Sequence, residues 1–485
     1  MKIPRCMSTQ HPDNVNPPFF ANSPEMDNED EVEEAFYAYS HLNCDEQMWD
    51  YEGKEGDAFV VKKLLTRYKQ FFDKNRLGKD VFLTLRLPNP DFEKAEAKIL
   101  VETLESIPRS FDASKLIYQD DIAPIFEVIL PMTQSNVDLD RIYYYYNKFV
   151  IGKQNFQAIE DDISIAEWVG KFAPSTINVI PLVEDKEHML ASHDIIKAYL
   201  RDKDIEYQRI FYARSDPALN YGLLSAVLIN KIAHQRLQDL SEEISVDFYP
   251  IIGVGSPVFR GNFKPYTIEK VVKEYPSVQT FTIQSAFKYD NPPDEVFKAM
   301  KELNRISVRK PHLIDEGECL KIIEKYSNAY SQQVMKLAPL VNRISEFIPR
   351  RRRRNLHIGL FGYCRDVGEY CLPRAIGFTA AMYSIGIPPS LLGLDCLNQK
   401  DFDFILTQYL YFKEDLKEAL KYYNPNQNFL PFDIDVKLKE FGIDYEIDET
   451  HKEHTSEIIN NLKKEQPEDL TEKILLAASQ RNFLG

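Results

Sequence analysis

Short runs rich in β-branched and apolar residues alternate with longer stretches of helical spacing along most of this chain. The runs are Val81–Leu87, Lys115–Tyr118, Ile122–Ile129, Ile177–Val183, Gln208–Tyr212, Val246–Ile252, Val278–Ile283 and Leu356–Phe361. Glu93–Ile107, His188–Leu200 and Tyr221–Gln238 lie between them and are long enough for helices. A strand followed by a crossover helix pairs in parallel with the next strand. Eight such runs predict an α/β fold, a closed (β/α)8 TIM-type barrel with additional helices, mainly C-terminal. A doubly wound open sheet satisfies the same alternation. From Asp401 onward the pattern is helical and highly charged, so 401–485 reads as a helical elaboration. Residues 1–30, rich in Pro, Asn and Asp, read as an irregular N-terminal arm. No Gly/Ser-rich linker divides the chain, so 1–485 is expected to be a single elaborated barrel domain.

Charge narrows the function classes. The formal net charge is −16, which disfavours nucleic acid or an anionic membrane as the main partner. The run Arg350–Arg354 is the one local exception, and it lacks the interleaved aromatics of a single-strand binder. It reads as an ion-pairing or subunit-contact segment, or as a loop beside an anion site. Ala375–Leu394 carries no charged side chain, but Pro388-Pro389 and its glycines favour a buried helix followed by a loop over a membrane span. The N-terminus lacks the apolar run of a signal peptide. Cys6, Cys44, Cys319, Cys364, Cys371 and Cys396 show no metal-finger spacing and read as reduced thiols of a cytoplasmic protein.

In a barrel of this kind, functional side chains sit at the C-terminal ends of the strands. That rule selects Arg86, Glu127, Arg214 and Asp216, the loop Gly253–Gly261 with Arg260, and Arg365 after the last run. Arginine forks pair with phosphate or carboxylate and stay charged. Two carboxylates from different strands suit Mg²⁺ or Mn²⁺ and leave positions for substrate and water. Each residue also has a plainer reading. A strand-end carboxylate is commonly a cap, Arg86 alone reads as a packing or ion-pair arginine, and Gly253–Gly261 is a simple turn with Val258 where a third glycine would fall. His11 lies in a polar arm, and its use requires that arm to fold over the pocket.

Several motifs, in order, resemble those of the archaeal-type (short form) phosphoenolpyruvate carboxylases. They are Met7-Ser8-Thr9-Gln10-His11-Pro12-Asp13-Asn14, Leu83-Thr84-Leu85-Arg86-Leu87-Pro88-Asn89-Pro90, Ala123-Pro124-Ile125-Phe126-Glu127 and Ala213-Arg214-Ser215-Asp216-Pro217-Ala218. Leu372-Pro373-Arg374-Ala375-Ile376 and Tyr383-Ser384-Ile385-Gly386-Ile387-Pro388-Pro389 complete the set. In the long bacterial and plant enzymes the metal-binding Glu lies in a Pro-Leu-Phe-Glu segment, which Pro124–Glu127 resembles. The metal-binding Asp lies in Ser-Asp-Ser, similar to Ser215-Asp216-Pro217. Their glycine-rich loop begins His-Gly-Arg, which is replaced here by Ile252-Gly253-Val254, and only Arg260-Gly261 matches its later Arg-Gly.

The resemblance implies a carbon–carbon lyase that joins phosphoenolpyruvate and bicarbonate to give oxaloacetate and phosphate, through carboxyphosphate and a pyruvate enolate. Glu127 and Asp216 are then expected to hold Mg²⁺ (or Mn²⁺). Arg214, Arg365 and Arg374 are expected to bind substrate, and His11, Arg86 and Arg260 to act in the carboxylation steps. Gly253–Gly261 and Arg350–Arg354 are lid candidates, since a free enolate protonates if water reaches it. A homotetramer is also implied. The alternatives are another metal-dependent barrel lyase or mutase acting on an enolate, or a metabolite-binding regulatory protein that has kept the pocket.

Overall fold

The barrel closes through its shortest strand. The computed structural model describes residues 2–54, 56–94, 97–353, 365–367, 370–464 and 469–485, the side chains of 365–367 excepted. Eight parallel strands follow one another around a closed barrel: β1 Cys6–Ser8, β2 Glu46–Asp50, β3 Phe82–Arg86, β4 Glu127–Leu130, β5 Asn178–Val183, β6 Tyr207–Ala213, β7 Asp247–Gly253 and β8 Thr280–Ile283. β1 pairs with β2 on one side and with β8 on the other, with Cys6 opposite Phe281 and Ser8 opposite Ile283. The strand edges are thereby consumed.

Successive side chains along a strand alternate between the barrel interior and the helical shell. Met7, Met48, Ile129, Ile180, Leu182, Phe211, Ala213 and Ile251 form their own buried cluster. Their neighbours Leu85, Val128, Val179, Val183, Ile210, Tyr212 and Ile252 belong to the larger core shared with the helices. Most strands are thus buried on both faces, which is why they read as continuous apolar runs.

Beneath the apolar interior lies a layer of buried charge. Arg209 donates to both oxygens of Glu46 at 2.8 and 2.7 Å, to Glu127 at 2.7 Å and to the Thr280 hydroxyl at 3.2 Å. Tyr207 donates its hydroxyl to the other Glu127 oxygen at 3.0 Å. One guanidinium therefore serves two buried carboxylates at the N-terminal end of the barrel.

The structure revises the strand list at both ends. β1 and β2 fall in the stretch read as an irregular arm and just beyond it. Lys115–Tyr118 is the last turn of the helix Lys98–Tyr118, which stops where Gln119 turns left-handed at φ 57°. Leu356–Phe361 lies outside the described residues. Of Ile122–Ile129 only the end pairs, as Glu127–Leu130. The region beyond 400 is helical as expected, from Gln399–Gln408 through Leu470–Ser479. Ala375–Ser384 is a buried helix followed by two short 3₁₀ turns. Among the described residues no single helix is long and apolar enough to cross a membrane. Cys6, Cys44, Cys319 and Cys396 are free thiols, but Cys371 is disulfide-bonded, against the expectation of reduced cysteines throughout.

Replacing Arg209 with Met should leave Glu46 and Glu127 buried without a cation. A loss of about 3–5 kcal/mol is expected for breaking a buried pair in this way. Denaturant unfolding measures it, and a loss below about 1 kcal/mol would mean that the layer is solvated or protonated.

Candidate active site

At the C-terminal mouth of the barrel lies a cavity of about 500 Å³. Its floor is apolar and small, formed by Leu182, Phe211, Ala213, Gly253 and Thr282 from the strand ends. One wall comes from the N-terminal arm with His11 and Pro12, another from Ser345–Arg352, and a third from Pro373–Gly377, with Leu484 of the C-terminus beside them.

The arm is held by buried polar contacts. Beyond β1, Thr9 N donates to Ile283 O at 3.0 Å, continuing the strand register. Lys288 donates to the Ser8 hydroxyl at 3.0 Å and to Thr9 O at 2.9 Å, and pairs with Glu34 at 2.7 Å. Gln10 accepts from Asp50 N and from Lys54, each at 3.1 Å. Asp13 accepts from Ala286 N at 2.7 Å. Two arginines of the run clamp the same region: Arg351 donates to Val15 O at 2.6 Å, and Arg352 pairs with Glu31 at 3.1 Å and Glu34 at 2.5 Å. His11 is consequently fixed at the cavity wall, half-buried, with Nδ1 2.9 Å from the Thr9 hydroxyl.

Of the two carboxylates expected to hold a metal, one is here and one is not. Asp216 lines the cavity from the first turn of the helix Ser215–Tyr221. Glu127 sits at the first residue of β4, opposite Asn178 at the start of β5, inside the Arg209 layer. The cavity lies beyond the other end of β5. Asn178 to Glu184 is six residues, about 20 Å of strand at 3.3 Å per residue. Glu127 is therefore at the wrong end of the barrel to share an ion with Asp216. The carboxylate that does line the cavity is Glu184, one residue past β5, which accepts from Met132 N at 3.0 Å. Its segment, Pro181-Leu182-Val183-Glu184, matches Pro-Leu-Phe-Glu at three of four positions, as Pro124-Ile125-Phe126-Glu127 does, but at a true strand end. That pattern was the signal that could have found it. Among the described residues no group of three or more His, Cys, Asp or Glu is arranged to hold a metal. Two carboxylates with water and substrate completing the shell suit Mg²⁺ or Mn²⁺, not a closed all-protein site.

The arginines divide sharply. Arg86 lines the cavity but donates to both Asp50 oxygens at 2.9 and 2.7 Å and lies 2.7 Å from Glu52, so its charge is balanced twice. Its plainer reading as an ion-pair arginine describes this geometry. Arg214 lines the cavity only in part. Its guanidinium donates to Phe259 O at 3.3 Å and reaches Tyr275 behind the loop, away from the mouth. Arg260 is buried and fully engaged: it donates to the Ser215 hydroxyl at 3.1 Å, to Asp13 at 3.3 Å and to Gly485 O at 2.5 Å, and also contacts Gln284. Burial pulls its pKa down, against the pull of Asp13 and Asp216. The contribution of the C-terminal Gly485 carried no sequence signal. Arg374 stands at the N-terminus of the helix Ala375–Ser384, 39% exposed and 3.6 Å from Glu52. Burial pulls it down, but Glu52 and then Asp216 outweigh that and hold it above its ordinary value. The side chain of Arg365 lies outside the described residues.

The loop Gly253–Gly261 is not a surface flap. Gly255 N donates to Arg260 O at 2.8 Å, Phe263 N to Gly255 O at 3.0 Å, and the loop is almost wholly buried. Gly261 has φ +121°, and a Cβ there would meet Val254 Cγ1 at 2.7 Å, so only glycine fits the turn that presents Arg260. Of the other lid candidate, 350–353 is described and Arg354 is not.

Residues 3–485 match a family model described as phosphoenolpyruvate carboxylase. A phosphoenolpyruvate carboxylase of Methanothermobacter thermautotrophicus is 53% identical over 485 residues, covering all of both chains. That of Halobacterium salinarum is 47% identical over 490 residues, covering 100% of this chain and 99% of its own. That of Pyrococcus furiosus is 52% identical over 425 residues, 87% of this chain and 89% of its own. This chain belongs to the phosphoenolpyruvate carboxylase family. It is a lyase that carboxylates phosphoenolpyruvate to oxaloacetate, and the alternative of another enolate lyase or mutase is not favoured.

The two glutamates separate cleanly in a mutant pair. Glu184→Gln should lower kcat by a hundredfold or more (~3 kcal/mol of lost charge stabilisation). Glu127→Gln should lower stability yet leave kcat within about twofold and the metal requirement unchanged. Steady-state kinetics on both variants, over a Mg²⁺ titration, decides the assignment.

Proposed function

We propose that the mouth cavity is where phosphoenolpyruvate and bicarbonate react, with Glu184 and Asp216 holding Mg²⁺ or Mn²⁺. The observation that carries this reading is the meeting of these two carboxylates, Arg374 and His11 around one cavity with an apolar floor. A divalent ion bound there supplies a compact positive charge against the oxyanion that develops on the substrate.

The chain's own groups supply the rest. Arg374, partly exposed and held charged, pairs with an anionic end of the substrate. Arg260 keeps a positive field at the back of the cavity, and its fixed partners hold it without reorganisation during the reaction. His11 has Nδ1 engaged by Thr9, so proton exchange with a carboxyl intermediate falls to Nε2. Leu182, Phe211 and Ala213 offer no hydrogen bonds, which suits CO₂ and disfavours the water that would protonate an enolate. Arg86 acts at one remove, ordering Asp50 and Glu52, the latter beside Arg374.

The homo-oligomer belongs to the same proposal. Phe149, Phe156, Ile159 and Trp168 are each more than half exposed on the excursion between β4 and β5. Clustered exposed apolar residues are what subunit contacts cover. Light scattering behind a sizing column should give a mass of several chains, and Trp168→Glu should reduce it.

The deciding assay follows oxaloacetate through malate dehydrogenase and NADH, with and without bicarbonate and Mg²⁺. NADH loss that needs both is expected, and Asp216→Asn should abolish it with little change in unfolding. Undiminished turnover by Asp216→Asn at saturating Mg²⁺ would remove Asp216 from the metal site. Phosphate release without oxaloacetate in the wild type would refute the placement of both reactants.

A further inference from the structure

We propose that Arg350 binds the phosphoryl end of phosphoenolpyruvate at the cavity mouth, a role that rests on the cavity being the substrate site. The argument is an inventory of charge. The substrate brings a carboxylate and a phosphate near −2, so about three negative charges must be met. Most arginines at the mouth cannot meet them without giving up a partner. Arg86 is held by Asp50 and Glu52. Arg260 is held by Asp13 and Gly485. Arg214 points behind the loop, to Phe259 O. Arg351 spends its donors on the backbone of Asn14 and Val15, and Arg352 spends its own on Glu31 and Glu34.

Arg350 is different. It lines the cavity, is exposed, and makes no ion pair or hydrogen bond among the described residues. Its backbone is nevertheless fixed. Met26 N donates to Arg351 O at 3.1 Å, and Arg353 N donates to Met26 O at 2.8 Å, so the stretch is tied to the segment before the helix Asn28–Ser40. A rigid base thus carries an unspent guanidinium at the rim. Arginine's fork matches the oxygens of a phosphoryl group, and a dianion gains more from one unpaired cation than a monoanion does. Within the arginine run the roles are therefore split: Arg351 and Arg352 anchor the arm that carries His11, and Arg350 meets the substrate.

The test is steady-state kinetics on wild type, Arg350→Gln, Arg350→Lys and Arg374→Gln, at low and high ionic strength, with inorganic phosphate as inhibitor. Arg350→Gln should raise KM for phosphoenolpyruvate about tenfold while kcat stays within about twofold, as expected for a charged contact made equally in ground and transition states. Inhibition by inorganic phosphate should weaken in parallel, and the salt dependence of kcat/KM should flatten. Arg350→Lys should recover part of the loss, because the charge returns without the fork. Unchanged KM and unchanged phosphate inhibition in Arg350→Gln, with Arg374→Gln impaired, would overturn the role of Arg350 alone. Unchanged KM in both variants would overturn it together with the placement of the substrate. A loss confined to kcat would also overturn it, since that would place Arg350 in the chemistry instead of in capture.

Discussion

Closure of the barrel through β1 is the constraint from which the site follows. Three residues, Cys6–Ser8, bridge β2 and β8 and remove the sheet's open edges. The strand that closes the sheet also runs directly into Thr9, Gln10 and His11. Because the barrel cannot close without β1, the arm cannot be placed elsewhere, and His11 is delivered to the mouth by the pairing that completes the fold. The buried pairs around Lys288, Glu34 and Arg352 then hold the segment against the helix Asn28–Ser40. Such pairs cost desolvation and are weak evidence for stability. Their use here is positional, since they define one geometry for a stretch with almost no apolar side chains of its own.

Much of the architecture was legible for physical reasons. β5, β6 and β8 are buried on both faces, so each shows a β-rich stretch bounded by turns, apolar from Val179 to Val183 in β5 and from Ile210 to Ala213 in β6. β1 and β2 escaped because Cys-Met-Ser is too short to show a period and Glu-Gln-Met-Trp-Asp carries its two carboxylates inward. Glu46 points into the Arg209 layer and Asp50 toward Arg86. An inward-facing carboxylate looks like a surface residue until its partner is known. The opposite error arose at Lys115–Tyr118, where the last turn of a long helix ends in a left-handed residue and mimics a short strand.

The site shows the same division between pattern and depth. Alternation tells which residues of a strand face inward but not how far along the barrel they lie. Glu127 does face inward, as a strand carboxylate matching a metal-ligand motif should, yet register puts it beside Asn178 at the bottom. Glu184, in Pro181-Leu182-Val183-Glu184, matches Pro-Leu-Phe-Glu at three of four positions, as Pro124-Ile125-Phe126-Glu127 does, but at the top. Depth comes from inter-strand pairing, which a single sequence does not display, so two equivalent matches could not be ranked without it. Asp216, three residues past the end of β6, lines the cavity, because there depth and sequence position coincide.

Charge at the mouth has a further consequence. Seven arginines line or approach the cavity among the described residues, yet the site is not simply basic, because Asp13, Glu31, Glu34, Asp50, Glu52, Glu184 and Asp216 lie among them. A cavity lined by unpaired arginines would repel itself and would bind any small anion tightly. Pairing most of them keeps the empty site stable and confines the uncompensated positive charge to a few positions. In the proposed reading, substrate gains most by touching those positions, so recognition follows which cations are least compensated, not how many are present. The same logic explains why Glu184 and Asp216, on adjacent strand ends, tolerate each other: Arg86 acts on one, Arg260 on the other, and Arg374 on both. In the proposed metal site, the like charge of these two carboxylates is what a divalent cation bound between them would offset.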